Sequence, residues 1–185
     1  MTSHWLLQIA LVAVIVFWLV GGYNRLMRLR NAAAAAWGQV EPALARRGEA
    51  MHAVVAQVRA SLAEEAGTLQ TLLDADTRTR QAAEAVRASS VRPDTVSQWV
   101  STEAALASPA TRMKALLDLH ATQLREDPAC ASLPAGIQAW SEADARLDFA
   151  RLTFNEAVQA YNDALLQWPT RVITVVFGFK PAGRA

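Results

Sequence analysis

Residues 23–58 read YNRLMRLRNAAAAAWGQVEPALARRGEAMHAVVAQV. Stepping by three and four along this stretch collects Tyr23, Leu26, Arg30, Ala33, Trp37, Val40, Leu44, Arg47, Met51, Val54 and Val58. That is the apolar seam of one long helix, interrupted by two arginines. The run Ala32 to Ala36 favours helix and leaves a slim surface that a neighbouring helix can approach. Pro42 predicts a kink, because its ring removes one ladder bond and crowds the preceding turn. A seam of this kind is buried against another. The same stepping near the other end of the chain gives Ile137, Trp140, Asp144, Leu147, Arg151, Phe154, Val158, Tyr161, Leu165 and Trp168. Its aromatic members read as bundle core before they read as a ligand box.

Upstream of the first seam, residues 5–24, WLLQIALVAVIVFWLVGGYN, carry no charge. At about 1.5 Å per helical residue they span roughly 30 Å, the thickness of a bilayer's hydrocarbon core. Trp5 and Tyr23 mark the edges, where amphipathic aromatics sit at the headgroup level, and Phe17 and Trp18 lie between them. A core helix that is apolar all round is rare in a chain this small. A cleaved signal peptide wants a basic start and a small-residue cleavage site, and MTSH offers no Lys or Arg. A retained signal anchor over residues 1–22 fits best. Arg25, Arg28 and Arg30 follow it directly, so the positive-inside rule expects the N-terminus outside and the remainder in the cytoplasm. In a bacterium the membrane would be the cytoplasmic, or inner, one.

Turn-forming residues cluster at Ala66-Gly67-Thr68, at Ser89 to Pro93, and between Asp127 and Gly136, and Pro169 closes the last segment. These breaks leave helices over 23–65, 68–89, 94–126 and 135–168, with Ser108-Pro109 expected to split the third. Composition agrees. Of 185 residues, 8 are Gly and 7 Pro, so turns are few, and roughly one residue in five is Ala, which disfavours a many-stranded sheet. The expected fold is all-α: an antiparallel up-down four-helix bundle over residues 23–169 behind an N-terminal transmembrane helix. Residues 170–185 form an apolar tail. Its β-branched residues Val172, Ile173, Val175 and Val176, with Phe177 and Phe179, favour extended structure. In an up-down bundle this tail emerges beside the anchor. There it is buried against lipid, against the base of its own bundle, or against a neighbouring copy.

Candidate chemistry is sparse. With 18 basic and 17 acidic residues the chain has no basic excess for nucleic acid. His4, His52 and His120 lie far apart and outside any metal-ligand spacing, and Cys130 is the single cysteine. Phosphate-binding glycine loops and a nucleophile elbow are missing. The expectation is therefore a non-catalytic protein without cofactor, metal or small-molecule substrate. Charges on the two seams need an account, since an unpaired charge in a packed seam costs several kcal/mol. In antiparallel helices Arg47 and its neighbour Arg46 come to the height of Asp144, and Glu41 to that of Arg151. The expectation is that these opposite charges pair, the alternative being that they turn to the rim and meet water.

Two groups of residues stand out at the ends of the chain. The first is Tyr23-Asn24-Arg25-Leu26, Leu29-Arg30-Asn31, Trp37, Leu44 and Arg46-Arg47. The second is Phe154-Asn155-Glu156-Ala157-Val158, Tyr161-Asn162, Pro169 and Phe177-Gly178-Phe179. Both are similar to the LemA family. Residues 40–44 and 48–55 depart from the family's usual run, so the chain resembles a divergent member. The resemblance implies an antiparallel helical bundle on a membrane anchor, no enzymatic activity, and residence in bacterial membranes, including specialised ones such as magnetosomes. Two functional readings follow. One is a scaffold or interaction module at the membrane, touching lipid, binding protein partners and self-associating. The other is an enzyme or small-ligand receptor with a pocket between helices.

Overall fold

The computed structural model describes residues 2–89, 91–168 and 170–185, with side chains from Trp5 onward except that of Leu6. Pro169 therefore lies outside the described residues. Six α-helices follow one another: α1 (Thr2–Val58), α2 (Ala66–Ala88), α3 (Pro93–Leu119), α4 (Ala121–Glu126), α5 (Leu133–Leu166) and α6 (Thr170–Phe177). Single 3-10 turns at Ala63–Glu65 and Pro128–Cys130 join them. Among the described residues there is no strand, and the chain is all-α as its composition predicts.

The apolar span and the first seam are one helix of 57 residues, unbroken at Pro42. Packing holds it there. α1 lies along α5 through most of the body, and α2 lies along α3. From Leu26 to Val58 every member of the α1 seam is buried apart from Arg30. Trp37 sits at the centre of one cluster, edge-on to Trp99 of α3 at 5.0 Å and to Phe154 of α5 at 5.1 Å. Burying side chains of this size contributes about 2–3 kcal/mol each. A second cluster, with Met51, Leu72, Met113 and Trp140, fills the end of the body away from the apolar span.

α3 also differs from expectation. It runs through Pro109, and the break falls at His120 instead. An interior proline loses one ladder bond and crowds the preceding turn, at a cost of about 3 kcal/mol, which the packing of α3 along α2 offsets. Beyond α4 the turn is pinned to the end of α1. Asp127 accepts from the Ser61 hydroxyl and from the Ala129 N–H at 2.8 Å. Both contacts stabilise its charged form and hold the carboxyl below its usual range. Cys130 is buried and its thiol donates to the Gln57 carbonyl at 3.4 Å.

The tail is the main correction. Residues 170–177, expected to be extended, form α6. Thr170, Ile173 and Thr174 recur at helical spacing and face inward, while Val172, Val175 and Val176 face out. Thr170 Oγ1 donates to the Ala164 carbonyl at 2.6 Å, so the new helix also caps the end of α5. Burial at helical period has overridden a β propensity worth at most about 1 kcal/mol per residue. Gly178, at φ +67°, ends the helix, and the Phe179 N–H donates to the Thr174 carbonyl at 3.1 Å. That left-handed position suits Gly because a Cβ there is strained.

Candidate functional site

Where α1 leaves the body, α6 lies across it at Gly22. A Cβ on Gly22 would come 2.2 Å from Ile173 Cδ1, so the bare glycine is what lets the two helices approach. Tyr23 packs against Phe177 at 5.2 Å and Phe179 at 5.7 Å, and Trp18 against Trp168 at 5.8 Å. Arg25 donates to the Gln167 side chain at 3.0 Å. Trp18, Trp168, Tyr23, Phe177 and Phe179 thus form an aromatic collar round the base of the apolar span. Trp168 had been expected to lie on the α5 seam. It sits past the end of α5 and is 80% exposed, as is Val175 on the outer face of α6. The outer residues Val172, Val176 and Phe177 are exposed too.

From Gly178 the chain turns back along α5 and is held there mainly by its backbone. Tyr161 OH donates to the Lys180 carbonyl at 2.9 Å. Asn162 donates to the Ala182 carbonyl at 3.0 Å and accepts from its N–H at 2.9 Å. Asn155 binds both main-chain groups of Ala185 in the same way. The Gly183 N–H donates to Val91 O at 3.2 Å, and a Cβ on Gly183 would meet Pro93 Cα at 2.8 Å. Two asparagines seven residues apart lie on one face of α5 and present amides as strand-like partners to an extended chain. Both belong to the motif from Phe154 to Asn162, whose pattern does not by itself predict this role. Their signal was a polar residue flanking an apolar seam at a spacing of seven.

Seam charges occupy the middle of the body. Arg47 is buried and forms a two-point pair with Glu103 of α3, with Nη1 to Oε2 at 2.9 Å. Burial alone would lower the guanidinium's pKa, but Glu103 and the nearby Asp144 and Asp76 together outweigh it and the group stays charged. Asp144 accepts from Lys114 at 3.2 Å, and Glu41 meets Arg87 at 3.4 Å. Arg151 lies over the Trp99 ring, 5.3 Å from its centroid, and Arg46 is exposed. Arg47, Asp144 and Arg151 do line one cleft of about 440 Å³, together with Glu103 and Lys114. The expected pairings across α1 and α5 give way to partners on α2 and α3. Matching heights placed these charges at the right level but did not fix which neighbour each side chain faces.

A further acid lay unnoticed in the pattern. Asp76 of α2 is fully buried beneath Gly48, where a Cβ would come 2.9 Å from its carboxylate. Arg80 Nε lies 3.0 Å away and His52 Nε2 3.6 Å. Burial raises the pKa of this carboxyl, and the nearby Arg80 only partly offsets it. Its sequence signal was an acid within the buried stripe Leu69, Leu72, Ala75, Asp76 and Thr79. Gly48 leaves the room that this acid occupies.

Among the described residues no group of three or more His, Cys, Asp or Glu is placed to hold a metal ion. The family model for LemA matches residues 36–184. No curated protein and no solved structure matches the chain.

Proposed function

The chain belongs to the LemA family, and from that premise we propose a single-pass membrane protein that acts as a non-catalytic scaffold. In this reading the body is an up-down four-helix bundle in the cytoplasm of a bacterium, and residues 5–22 cross the inner membrane. One observation carries the proposal. The first part of α1 stands clear of the body with its apolar side chains bare, Trp5 at 63% and Phe17 at 79% exposure. In water such a surface associates or collapses, and hydrocarbon is the solvent that suits it. The outer face of α6 continues the bare surface at the level of Tyr23, so the same lipid boundary covers both. Arg25, Arg28 and Arg30 begin where the apolar span ends, which favours the N-terminus outside.

A scaffold also needs a surface for protein partners. α5 exposes Phe149 at 69% and Leu152 at 57% on the side of the helix away from the seam. These two side chains are candidates for a contact in the cytoplasm, well away from the lipid.

Two experiments test the proposal. A reporter active only outside the cytoplasm is expected to be silent when fused after Ala185 and active when fused ahead of Thr2. Activity at the Ala185 fusion would reverse the topology. A photo-crosslinking residue at position 149 is expected to trap a protein partner in intact membranes, and one at position 142 is not. Equal trapping at both would remove the case for a contact there.

A further inference from the structure

A second feature of the membrane end is a cleft beneath α6, between α1, the α2–α3 turn and the returning tail. Its volume is about 370 Å³, within the range of small-ligand sites. Arg30 of α1, Arg92 of the turn and Lys180 of the tail line it, with Tyr23, Phe177 and Phe179 forming an apolar wall. Three cations thus converge from three separate parts of the chain. Among the described residues no carboxylate lines the cleft. Asp94 engages one edge of the Arg92 guanidinium, with Nη2 to Oδ2 at 2.8 Å. Among the described residues Arg30 and Lys180 make no ion pair. Arg30 and Lys180 thus line the cleft without a counter-charge of their own, and an anion bound there pairs with both.

We propose that this cleft binds the phosphate of an anionic phospholipid headgroup. The inference rests on the membrane reading above and names the lipid class that reading leaves open. Position supports it. Arg30 is seven residues beyond Tyr23, about 10 Å along the helix. Side chains on a helix tilt towards its N-terminus, so Arg30 leans back towards the bilayer. The aromatic wall, continuous with the collar round the anchor, suits the glycerol backbone and first methylenes. The Tyr161 hydroxyl holds the Lys180 main chain, so the backbone that carries the third cation is placed before any lipid arrives.

The test uses the full chain in detergent micelles, titrated with phosphatidylglycerol or phosphatidylcholine and read by native mass spectrometry. Phosphatidylglycerol is expected to bind saturably and phosphatidylcholine is not. The double variant Arg30→Gln/Lys180→Gln is expected to weaken phosphatidylglycerol binding about thirtyfold, the loss of two interfacial cations. Arg30→Lys/Lys180→Arg is expected to retain most of the binding. Arg112→Gln/Arg125→Gln, charges at the far end of the body, is expected to change nothing. Unchanged binding by the Gln double variant, or equal binding of the two lipids, overturns the proposal. Glycerol 1-phosphate and inorganic phosphate form a third arm, and if either binds as tightly as the lipid, the lipid is the wrong source. Alkaline carbonate extraction of cell membranes separates the two readings. Release of the protein refutes the anchor itself, whereas retention with no phosphatidylglycerol binding refutes only the cleft.

Discussion

Asn162 satisfies both main-chain polar groups of Ala182, donating to its carbonyl at 3.0 Å and accepting from its N–H at 2.9 Å. A carboxamide can do this because it carries a donor and an acceptor side by side, the same pair a strand offers its neighbour. No other uncharged side chain except Gln has that edge, and Gln is one methylene too long for the same register. The motif residue is therefore a backbone reader for the chain's own tail. Asn162→Leu and Asn155→Leu are expected to raise hydrogen exchange at Ala182 and Ala185 respectively, with a stability loss of about 1–2 kcal/mol each. Asn162→Asp keeps the acceptor and loses the donor, so the Ala182 amide is expected to stay more protected than in the Leu variant. Equal exchange in all three proteins would show that the clamp holds nothing.

Gly183→Ala tests the same strap from the other side. The new Cβ would lie 2.8 Å from Pro93 Cα, a backbone atom that cannot swing away. Loss of protection is expected along residues 179–185, with far-ultraviolet circular dichroism unchanged. An Ala variant with the tail protected as before would mean that the α2–α3 turn yields easily.

The parts of the fold that could be read from sequence are those set by one helix and its period. Nine of the eleven α1 seam positions are buried, with Tyr23 half-buried and Arg30 exposed, both at the end next to the apolar span. On α5 the apolar seam members from Trp140 to Leu165 are buried, Asp144 and Arg151 are half-buried, and Ile137 and Trp168 are exposed. Ends escape because packing there depends on turns and tails, not on a straight helix. Charge partners escaped for a related reason. Arg47 and Asp144 are level on adjacent helices, yet each finds an opposite charge on α3, Glu103 for one and Lys114 for the other. Height follows from counting residues, whereas facing requires the third helix. α6 was misread because its β-branched residues were weighed singly, while Thr170, Ile173 and Thr174 at helical spacing carried the decisive signal.

Gly22 and Ile173 set how closely α6 lies against α1. Gly22→Ala places a methyl 2.2 Å from the present position of Ile173 Cδ1, the far end of a flexible side chain. Ile173 can rotate, so a cost of about 1 kcal/mol is expected, within the range of mild overpacking. Ile173→Ala alone removes a fully buried side chain and is expected to cost about 2–4 kcal/mol. The double variant is expected to cost less than the sum of the two, because the alanine methyl partly fills the space vacated. Strict additivity in thermal melts of the full chain would mean that the two residues do not bear on each other.

Asp76 makes stability depend on pH with a sign opposite to the usual carboxylate. Burial raises its folded pKa above the unfolded value, near 3.9. Between the two values the folded protein binds the proton more readily, so stability falls as pH rises through that window and then levels off. Asp76→Asn has no such titration. With His52→Gln in both backgrounds to remove the neighbouring imidazole, the stability of the Asp protein relative to the Asn protein is expected to decline from pH 4 upward. Melts in which the Asp protein gains on the Asn protein over this range would show that Arg80 and Arg47 outweigh burial.

The Arg47–Glu103 pair poses the reverse problem, since both side chains are charged and almost entirely buried. Desolvating two ions is expensive, and their mutual attraction recovers that cost only in good geometry, which the two-point contact provides. Removing one partner leaves the other buried and uncompensated. Glu103→Leu is therefore expected to destabilise the body by about 3–5 kcal/mol. Arg47→Met is expected to cost a similar amount, because it strands the carboxylate. Arg47→Met with Glu103→Leu removes both charges and keeps most of the volume. The double variant is expected to lie within about 1–2 kcal/mol of the wild type, on either side. Lys114 and Asp144 line the same cleft and form their own pair, so the double variant leaves that pair intact. Full-chain melts of the four proteins complete a double-mutant cycle. A coupling near zero would mean that the two charges are each satisfied by water, and that the slot is wetter than its burial implies.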